Sequence, residues 1–316
     1  MELREIGNRG IRVTPIAMGC WPIAGVTTIN VTKEEALGTI RAAYESEINF
    51  FDTAYAYGHN GESERYVGEV LGPHRDDVVV ATKGGYHWEN GKHCKDARPE
   101  TLKRELEESL KRLRFEYVDI YYLHGPDPEI PVEKSAEAIA KFLEQGKTRA
   151  VGICNASLEQ IKAFQTVCPL VVLQSHFNML QQDVQNEVLP WCEEQGIGFT
   201  SYWPLMKGLL AGKLNRDHRF DERDSRRNYP IFQGEQWERN QDLVDVLRGI
   251  AAETGYTVAQ IVVRWTMKQP RMTSVLCGAR RPDQIRENAG AASITLTEQH
   301  ERQIEEAIAE RMKYEH

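Results

Sequence analysis

Short apolar runs alternate with longer amphipathic segments along almost the whole chain. Eight of these runs have the length of strands: TPIAMG (14–19), INFFDTA (48–54), DVVVATK (77–83), YVDIYYLH (117–124), TRAVGICN (148–155), LVVLQSHF (170–177), GFTSYWP (198–204) and TSVLCG (273–278). They are apolar at nearly every position rather than at alternate ones, which is typical of strands buried on both faces. The pattern therefore predicts parallel strands that are covered by helices.

The segments between these strands have helical periodicity. The clearest is 98–114, whose leucines recur at helical spacing: Leu102, Leu106, Leu110 and Leu113. Several others begin with Ser or Thr at a capping position and Glu in the first turn. Eight strand–helix units in a chain of 316 residues favour an α/β fold of the closed (β/α)8 TIM-barrel type over an open sheet.

The two ends of the chain and one long connection depart from this rhythm. LREIGNRGIRV predicts an N-terminal β-hairpin that turns at 8–10, and the tail after 293 predicts an amphipathic C-terminal helix. No repeat or low-complexity linker interrupts the pattern, so we expect residues 1–316 to form one domain. The irregular segment 204–236 follows the seventh strand, a position that favours a lid.

Composition excludes several classes of function. The chain carries 39 Lys and Arg against 47 Asp and Glu, for a net charge of −8, and no basic run indicates a nucleic-acid partner. No signal peptide begins the sequence and no apolar stretch approaches the roughly 20 residues that span a membrane, so we expect a cytoplasmic protein. The six cysteines lack CxxC spacing and are expected to be reduced thiols.

Polar residues follow the ends of three neighbouring strands. Asp52 ends the second strand, Tyr57 follows in its loop, Lys83 ends the third strand and His124 the fourth. Taken singly, each has an ordinary structural explanation, such as capping or rim packing. Barrel enzymes, however, collect their catalytic groups at these strand ends. A tyrosine, whose ordinary pKa is about 10, can act as a general acid when a nearby ammonium stabilises its phenolate. Together the four residues therefore indicate a site that protonates a carbonyl.

The chain resembles the aldo-keto reductase family in a series of segments that follow the family's order: FDTAYAYGHNGESERYVGEVL, VVVATKGG, LHGPDP, VGICN, LQSHFN, YWPLMKGLLAGK and GARRPDQIREN. The resemblance extends from about residue 3 to residue 293. It implies a (β/α)8 barrel that reduces small aldehydes or ketones with a nicotinamide cofactor. It also implies that Tyr57, rather than Tyr55, is the acid, that Lys83 lowers its pKa, that Asp52 pairs with Lys83, and that His124 orients the carbonyl.

The same resemblance indicates how the cofactor is bound. Asn155 and Gln174 are expected to bind the nicotinamide carboxamide, and Tyr202 to stack on the ring. Two further segments are expected to bind the rest of the cofactor: Trp203, Pro204, Leu205, Lys207, Gly208, Leu209 and Lys213 in the long connection, and Gly278, Ala279, Arg280, Gln284 and Asn288 after the eighth strand. Arginine at 280 and 281 suits a 2′-phosphate and so favours NADPH/NADP⁺ over NADH.

Two positions depart from the family pattern. Cys154 stands where the family has Ser, and Trp203 stands where it has a second Ser. Trp21 and Trp88, in the loops after the first and third strands, are candidates for the substrate pocket.

Three other hypotheses compete with this one. A Rossmann domain is disfavoured because no G-x-G-x-x-G follows an early strand. A metal-dependent hydrolase is disfavoured because no carboxylate partner supports His87, His93 and Cys94, which share one loop, so we expect no metal. The serious second hypothesis is a redox-sensing binding module, because channel β-subunits resemble the same family and retain these four polar residues.

Overall fold

The computed structural model describes residues 1–26 and 31–314 and contains twelve strands in this part of the chain. In order, these are β1 Arg4–Glu5, β2 Arg12–Val13, β3 Ile16–Gly19, β4 Phe50–Asp52, β5 Val79–Gly84, β6 Tyr86–Glu89, β7 Lys92–Lys95, β8 Val118–Leu123, β9 Thr148–Cys154, β10 Val172–His176, β11 Gly198–Tyr202 and β12 Met272–Gly278. Eight of them, β3, β4, β5 and β8 to β12, form a closed parallel barrel in chain order. The barrel and all eight of its predicted strands are confirmed.

Ten α-helices lie in the described part of the chain: α1 Lys33–Glu45, α2 Glu62–Leu71, α3 Pro99–Leu113, α4 Val132–Glu144, α5 Leu158–Gln165, α6 Val188–Glu194, α7 Gly234–Thr254, α8 Val258–Lys268, α9 Pro282–Gly290 and α10 Glu298–Met312. Reciprocal capping boxes at Thr32, Ser157, Thr257 and Thr297 start four of them. The predicted C-terminal helix is α10, which buries Ile304 and Ile308 and packs against α7.

The N-terminal hairpin β1–β2 closes one end of the barrel. Its residues Ile6, Ile11 and Val13 are buried in one cluster with inward-facing strand residues such as Phe50 and Ile120. Gly7 lies so close to the barrel that a Cβ there would come within 2.5 Å of the Val171 carbonyl oxygen. The hairpin therefore covers the end of the barrel at which the strands begin. The polar residues at the carboxyl ends of the strands lie at the opposite mouth.

The long connection after β11 is folded into three short 3₁₀ turns, Met206–Ala211, Ser225–Asn228 and Pro230–Phe232. Arg216 anchors it to α7 through Glu238, Asp242 and Asp245. Among residues 1–26 and 31–314, no helix combines the length and the apolar character that crossing a membrane requires.

Candidate active site

A buried ion pair lies at the carboxyl end of two adjacent strands. Lys83 of β5 is fully buried, and its Nζ donates to Asp52 Oδ1 at the end of β4. The same ammonium donates to the Thr53 carbonyl oxygen at 2.9 Å and to Tyr57 Oη at 3.2 Å. Gln174 Nε2, from across the barrel, donates to the second Asp52 oxygen at 2.8 Å. The three donors of Lys83 are therefore all used, and the Asp52 carboxylate is held from two sides.

The loop after β4 directs Tyr57 toward Lys83. The Tyr57 backbone closes a turn onto the Ala54 carbonyl oxygen, and Gly58 follows with φ of 103°, a conformation that favours glycine. Tyr55 points the other way: its hydroxyl donates to Glu108 at 2.7 Å, and the Arg112 guanidinium lies 4.2 Å over its ring. Of the two tyrosine hydroxyls, that of Tyr57 is the one that contacts Lys83 Nζ.

The charges around Tyr57 define the protonation state of the cluster. Burial disfavours the ammonium of Lys83, but the charges of Asp52, Tyr57 and Cys154 and the hydrogen bond to Asp52 together raise the pKa of Lys83 above its ordinary value. Burial raises the pKa of Tyr57 to about 12, while Lys83 acts in the opposite direction. At neutral pH the pair is therefore a protonated phenol beside an ammonium. Lys83 acts on the pKa of Tyr57 in the expected direction, but burial outweighs it and the pKa is raised overall.

His124 approaches the same phenol from β8. Its ring makes an edge contact with Tyr57, with centroids 5.7 Å apart, and stacks on Tyr86 at 4.5 Å and 19°. Burial, followed by the charges of Lys83, His93 and Lys95, lowers the pKa of His124 well below its ordinary value. The imidazole is therefore neutral at pH 7. Sequence reasoning missed Tyr86, although it follows Lys83 by only three residues.

Asn155 and Tyr202 form a second polar group at the mouth. Asn155 lies in the left-handed region with φ of 54°, donates through Nδ2 to the His124 carbonyl oxygen at 3.0 Å, and accepts from Tyr202 Oη at 2.7 Å. The neighbouring Cys154 is buried, and burial raises the pKa of its thiol. The structure thus brings Asn155 and Tyr202 to the side of His124, whereas the Gln174 amide is directed to Asp52.

The long connection holds a lysine between two aromatic rings. The Lys207 ammonium lies 3.9 Å from the centroid of Trp203 and 4.6 Å from that of Tyr229, an arrangement that favours a cation. Arg226 Nη1 donates to the Lys207 carbonyl oxygen at 3.2 Å. Trp203 is 41% exposed and so supports Lys207 rather than filling the barrel. The departure from the family pattern at this position has a visible structural role.

The segment after β12 contributes a second cation. Gly278 is held against Pro22, where a Cβ would lie 2.9 Å from Pro22 Cγ, and the Arg280 amide donates to Gln284 Oε1 at 2.9 Å. Ala279 and Asn288 are also buried.

The cations near this segment differ in whether a carboxylate pairs with them. Arg281 forms an ion pair with Asp283 at 3.0 Å, and Lys213 forms one with Glu287 at 2.8 Å. In the described residues no carboxylate forms an ion pair with Lys207 or Arg280, and burial lowers the pKa of Lys207.

Both candidate tryptophans lie at the Tyr57 loop. The Trp21 ring meets Tyr57 edge-on at 5.0 Å, and Trp88 Nε1 donates to the Ala56 carbonyl oxygen at 2.8 Å. Trp88 also contacts the rings of His59 and His93. This position beside the phenol is compatible with a pocket wall.

The segment with His87, His93 and Cys94 is a hairpin, β6–β7, rather than an open loop. The expectation that no carboxylate supports these residues was wrong for His87, whose Nδ1 lies 3.1 Å from Glu105 Oε1. Glu105 comes from α3, so only the folded chain brings the two together. In the described residues, no group of three or more His, Cys, Asp or Glu could hold a metal ion.

Comparison with known proteins decides the family. Residues 15–309 match the model of the Aldo/keto reductase family. The chain belongs to this family. It is 34% identical to aldo-keto reductase YhdN of Bacillus subtilis, over 96% of this chain and 92% of that protein. It is 31% identical to the NADH-specific methylglyoxal reductase of Escherichia coli, over 94% of this chain and 95% of that protein.

A solved structure supports the same assignment. The glycerol dehydrogenase of Gluconobacter oxydans superposes with a TM-score of 0.90 at 33% identity, covering 98% of this chain and 95% of that chain. The aldo-keto reductases are oxidoreductases that reduce aldehydes and ketones with nicotinamide cofactors. A nicotinamide cofactor and a small carbonyl substrate therefore follow from family membership.

Proposed function

We propose that this protein catalyses the NADPH-dependent reduction of aldehydes or ketones to alcohols, and the reverse oxidation, with Tyr57 as the general acid. The observation that carries the proposal is the contact of 3.2 Å between Tyr57 Oη and Lys83 Nζ, next to the buried pair of Lys83 with Asp52. The Tyr57 side chain is partly exposed, so a substrate can reach it, and its hydroxyl contacts the buried ammonium of Lys83.

Each of the four residues has a separate part in the reaction. A nicotinamide cofactor, once bound, would supply the hydride for the new C–H bond at the carbonyl carbon. Tyr57 gives its proton to the carbonyl oxygen, and Lys83 stabilises the phenolate that remains. Asp52 keeps Lys83 charged and in place. His124, neutral at pH 7, donates a hydrogen bond to the same oxygen, and in the oxidation direction the Tyr57 phenolate takes the proton back.

The residues at the mouth fit a dinucleotide. Asn155 and Gln174 would hold the carboxamide and Tyr202 the ring, which fixes the face that is presented to the substrate. Lys207 and Arg280, neither of which forms an ion pair with a carboxylate of the described residues, would hold the phosphates. The remaining contacts are expected from Trp203, Pro204, Leu205, Gly208, Leu209, Lys213, Gly278, Ala279, Gln284 and Asn288. Trp21 and Trp88 would line the substrate side.

The choice of NADPH over NADH rests on Arg280, and a relative named for NADH specificity makes it worth testing. Arg280→Gln is expected to weaken NADPH binding by about tenfold to a hundredfold and NADH binding by less than about threefold, because only NADPH carries the 2′-phosphate. Dissociation constants from fluorescence titration would measure both effects. Arg281→Gln is the matched control, since Asp283 already engages Arg281. Equal weakening of both cofactors would contradict the assignment.

The pH dependence of reduction follows from the protonation states. Reduction needs the protonated phenol, and because burial raises the pKa of Tyr57 to about 12, the proton is lost only as the pH rises toward that value. His124, with its lowered pKa, gains no charge in the neutral range. We therefore expect kcat for reduction to stay level from about pH 7 to about pH 9. A decline centred near pH 8 at saturating substrate and cofactor would contradict this interpretation.

The function itself is tested by following the oxidation of NADPH with a panel of small aldehydes and ketones. Turnover that depends on the carbonyl compound supports the reductase. Tight cofactor binding without turnover of any carbonyl would instead favour the redox-sensing binding module.

A further inference from the structure

We propose that Tyr86 is the positioning residue for His124, and that the lack of a side chain at Gly125 leaves room for the Tyr86 ring to stack on His124. The inference rests on the proposed function, since it assigns a role to a residue that acts through His124. It is carried by the geometry of the β6–β7 hairpin at the mouth of the barrel.

Successive side chains of β6 point to opposite faces of the hairpin. Tyr86 and Trp88 face the mouth, where Tyr86 stacks on His124 and Trp88 bonds to the loop of Tyr57. His87 lies between them and faces α3, where it meets Glu105. Glu105 also accepts from the Gly85 amide at 2.6 Å. The hairpin is thus fixed on both faces, and the ring of Tyr86 is held in place.

Among the described residues, none forms a hydrogen bond that sets the orientation of the His124 imidazole. The backbone of His124 is fixed, because its amide donates to Gly84 at 2.9 Å and its carbonyl oxygen accepts from Asn155 at 3.0 Å. Its Nδ1, however, is buried without a hydrogen-bond partner in the described part of the chain. Histidines that act in catalysis are commonly oriented by a hydrogen bond at the second ring nitrogen. Here ring contacts take that place.

Two rings enclose the imidazole. Tyr86 lies nearly parallel to it at 4.5 Å and 19°, and Tyr57 meets it edge-on at 5.7 Å and 68°. A parallel stack restricts rotation of the imidazole out of its plane, whereas the edge contact to Tyr57 limits its approach to the phenol. Since Nδ1 is turned inward, the stack directs Nε2 to a carbonyl oxygen that Tyr57 protonates.

Gly125 supplies the room that the stack requires. A Cβ at position 125 would lie 2.4 Å from Tyr86 Oη, a distance that real Cβ atoms essentially never show, and 3.1 Å from Tyr86 Cζ, which is tighter than most Cβ contacts. Residue 125 follows His124 directly, so the Tyr86 ring can stack on His124 only because position 125 has no side chain. Gly125→Ala would push the phenol ring away from His124 without removing it.

The test compares Tyr86→Leu with Tyr86→Phe. The leucine variant loses the ring and is expected to lower kcat by about tenfold to a hundredfold, whereas phenylalanine keeps the stack and stays within about threefold of wild type. The dissociation constant for NADPH is expected to change by less than about twofold in both, because His124 is placed on the substrate side. Steady-state reduction of one aldehyde, together with cofactor titration, measures both quantities.

A double-mutant cycle separates positioning from general structure. In a His124→Ala background, Tyr86→Leu is expected to lower kcat further by less than about twofold, because the residue through which it acts is gone. Gly125→Ala, the second route to the same displacement, is expected to follow the same pattern: it lowers kcat in the wild-type background and lowers it further by less than about twofold in the alanine background. An undiminished effect of Tyr86→Leu or Gly125→Ala in the alanine background would overturn the proposal, as would an unchanged kcat in the wild-type background. If the wild-type protein reduces no carbonyl, the proposed function fails before this cycle begins.

Discussion

Tyr57→Phe is expected to lower kcat for carbonyl reduction by about 10²–10⁴-fold while leaving NADPH affinity unchanged within about twofold. The variant loses one oxygen atom, the one that contacts Lys83 at 3.2 Å. The ring keeps its edge contacts with Trp21 and His124, so the shape of the mouth is retained. Because proton donation is needed only in the transition state, the loss is expected in kcat rather than in KM.

Tyr55→Phe is the matched control two residues away. Its hydroxyl donates to Glu108 and lies on the far side of the loop, so kcat is expected to stay within about threefold of wild type. Single-turnover reduction with bound NADPH would separate the chemical step from product release. If Tyr57→Phe reduced aldehydes as fast as the Tyr55 variant, another group would have to supply the proton.

The barrel could be predicted because its determinants are local. Strands buried on both faces leave runs such as DVVVATK and YVDIYYLH, and capping boxes such as that at Thr32 mark helix starts in the sequence. The prediction that Asp52, Lys83 and His124 share one mouth follows from the same parallel arrangement, since parallel strands end on one side. The contact of Lys83 with both Asp52 and Tyr57 matches that expectation.

The rest of the site depends on contacts that spacing does not encode. Tyr55 and Tyr57 both occupy the loop after Asp52, and only the turn before Gly58 directs one outward and one inward. The stack of Tyr86 on His124 requires the β6–β7 hairpin, where the sequence predicts only a loop. The rings around Lys207 come from Trp203 and Tyr229, which are far apart in sequence. Such tertiary pairs become visible only in the folded chain.

Lys83→Met is expected to abolish measurable reduction and also to lower the free energy of unfolding by about 3–5 kcal/mol, because it leaves the Asp52 carboxylate buried without its counter-charge. The cost is expected to depend on pH. In this variant Asp52 is buried without Lys83, so its pKa in the folded state lies above its value in the unfolded state. The destabilisation is therefore complete at pH values above the raised pKa, and it becomes smaller as the pH falls through that pKa and the carboxylate is protonated. Chemical denaturation at several pH values, alongside reductase assays, measures both effects.

The double variant Asp52→Asn with Lys83→Met separates stability from catalysis. It removes both charges from the barrel, and the asparagine can still accept from Gln174 Nε2, so most of the lost stability is expected to return. Activity is not expected to return, since Tyr57 would still lack the ammonium that stabilises its phenolate. Recovery of both stability and activity would mean that the ion pair serves only the fold. Recovery of stability alone would mean that Lys83 is needed for the chemistry, and that Asp52 serves to stabilise the buried ammonium of Lys83.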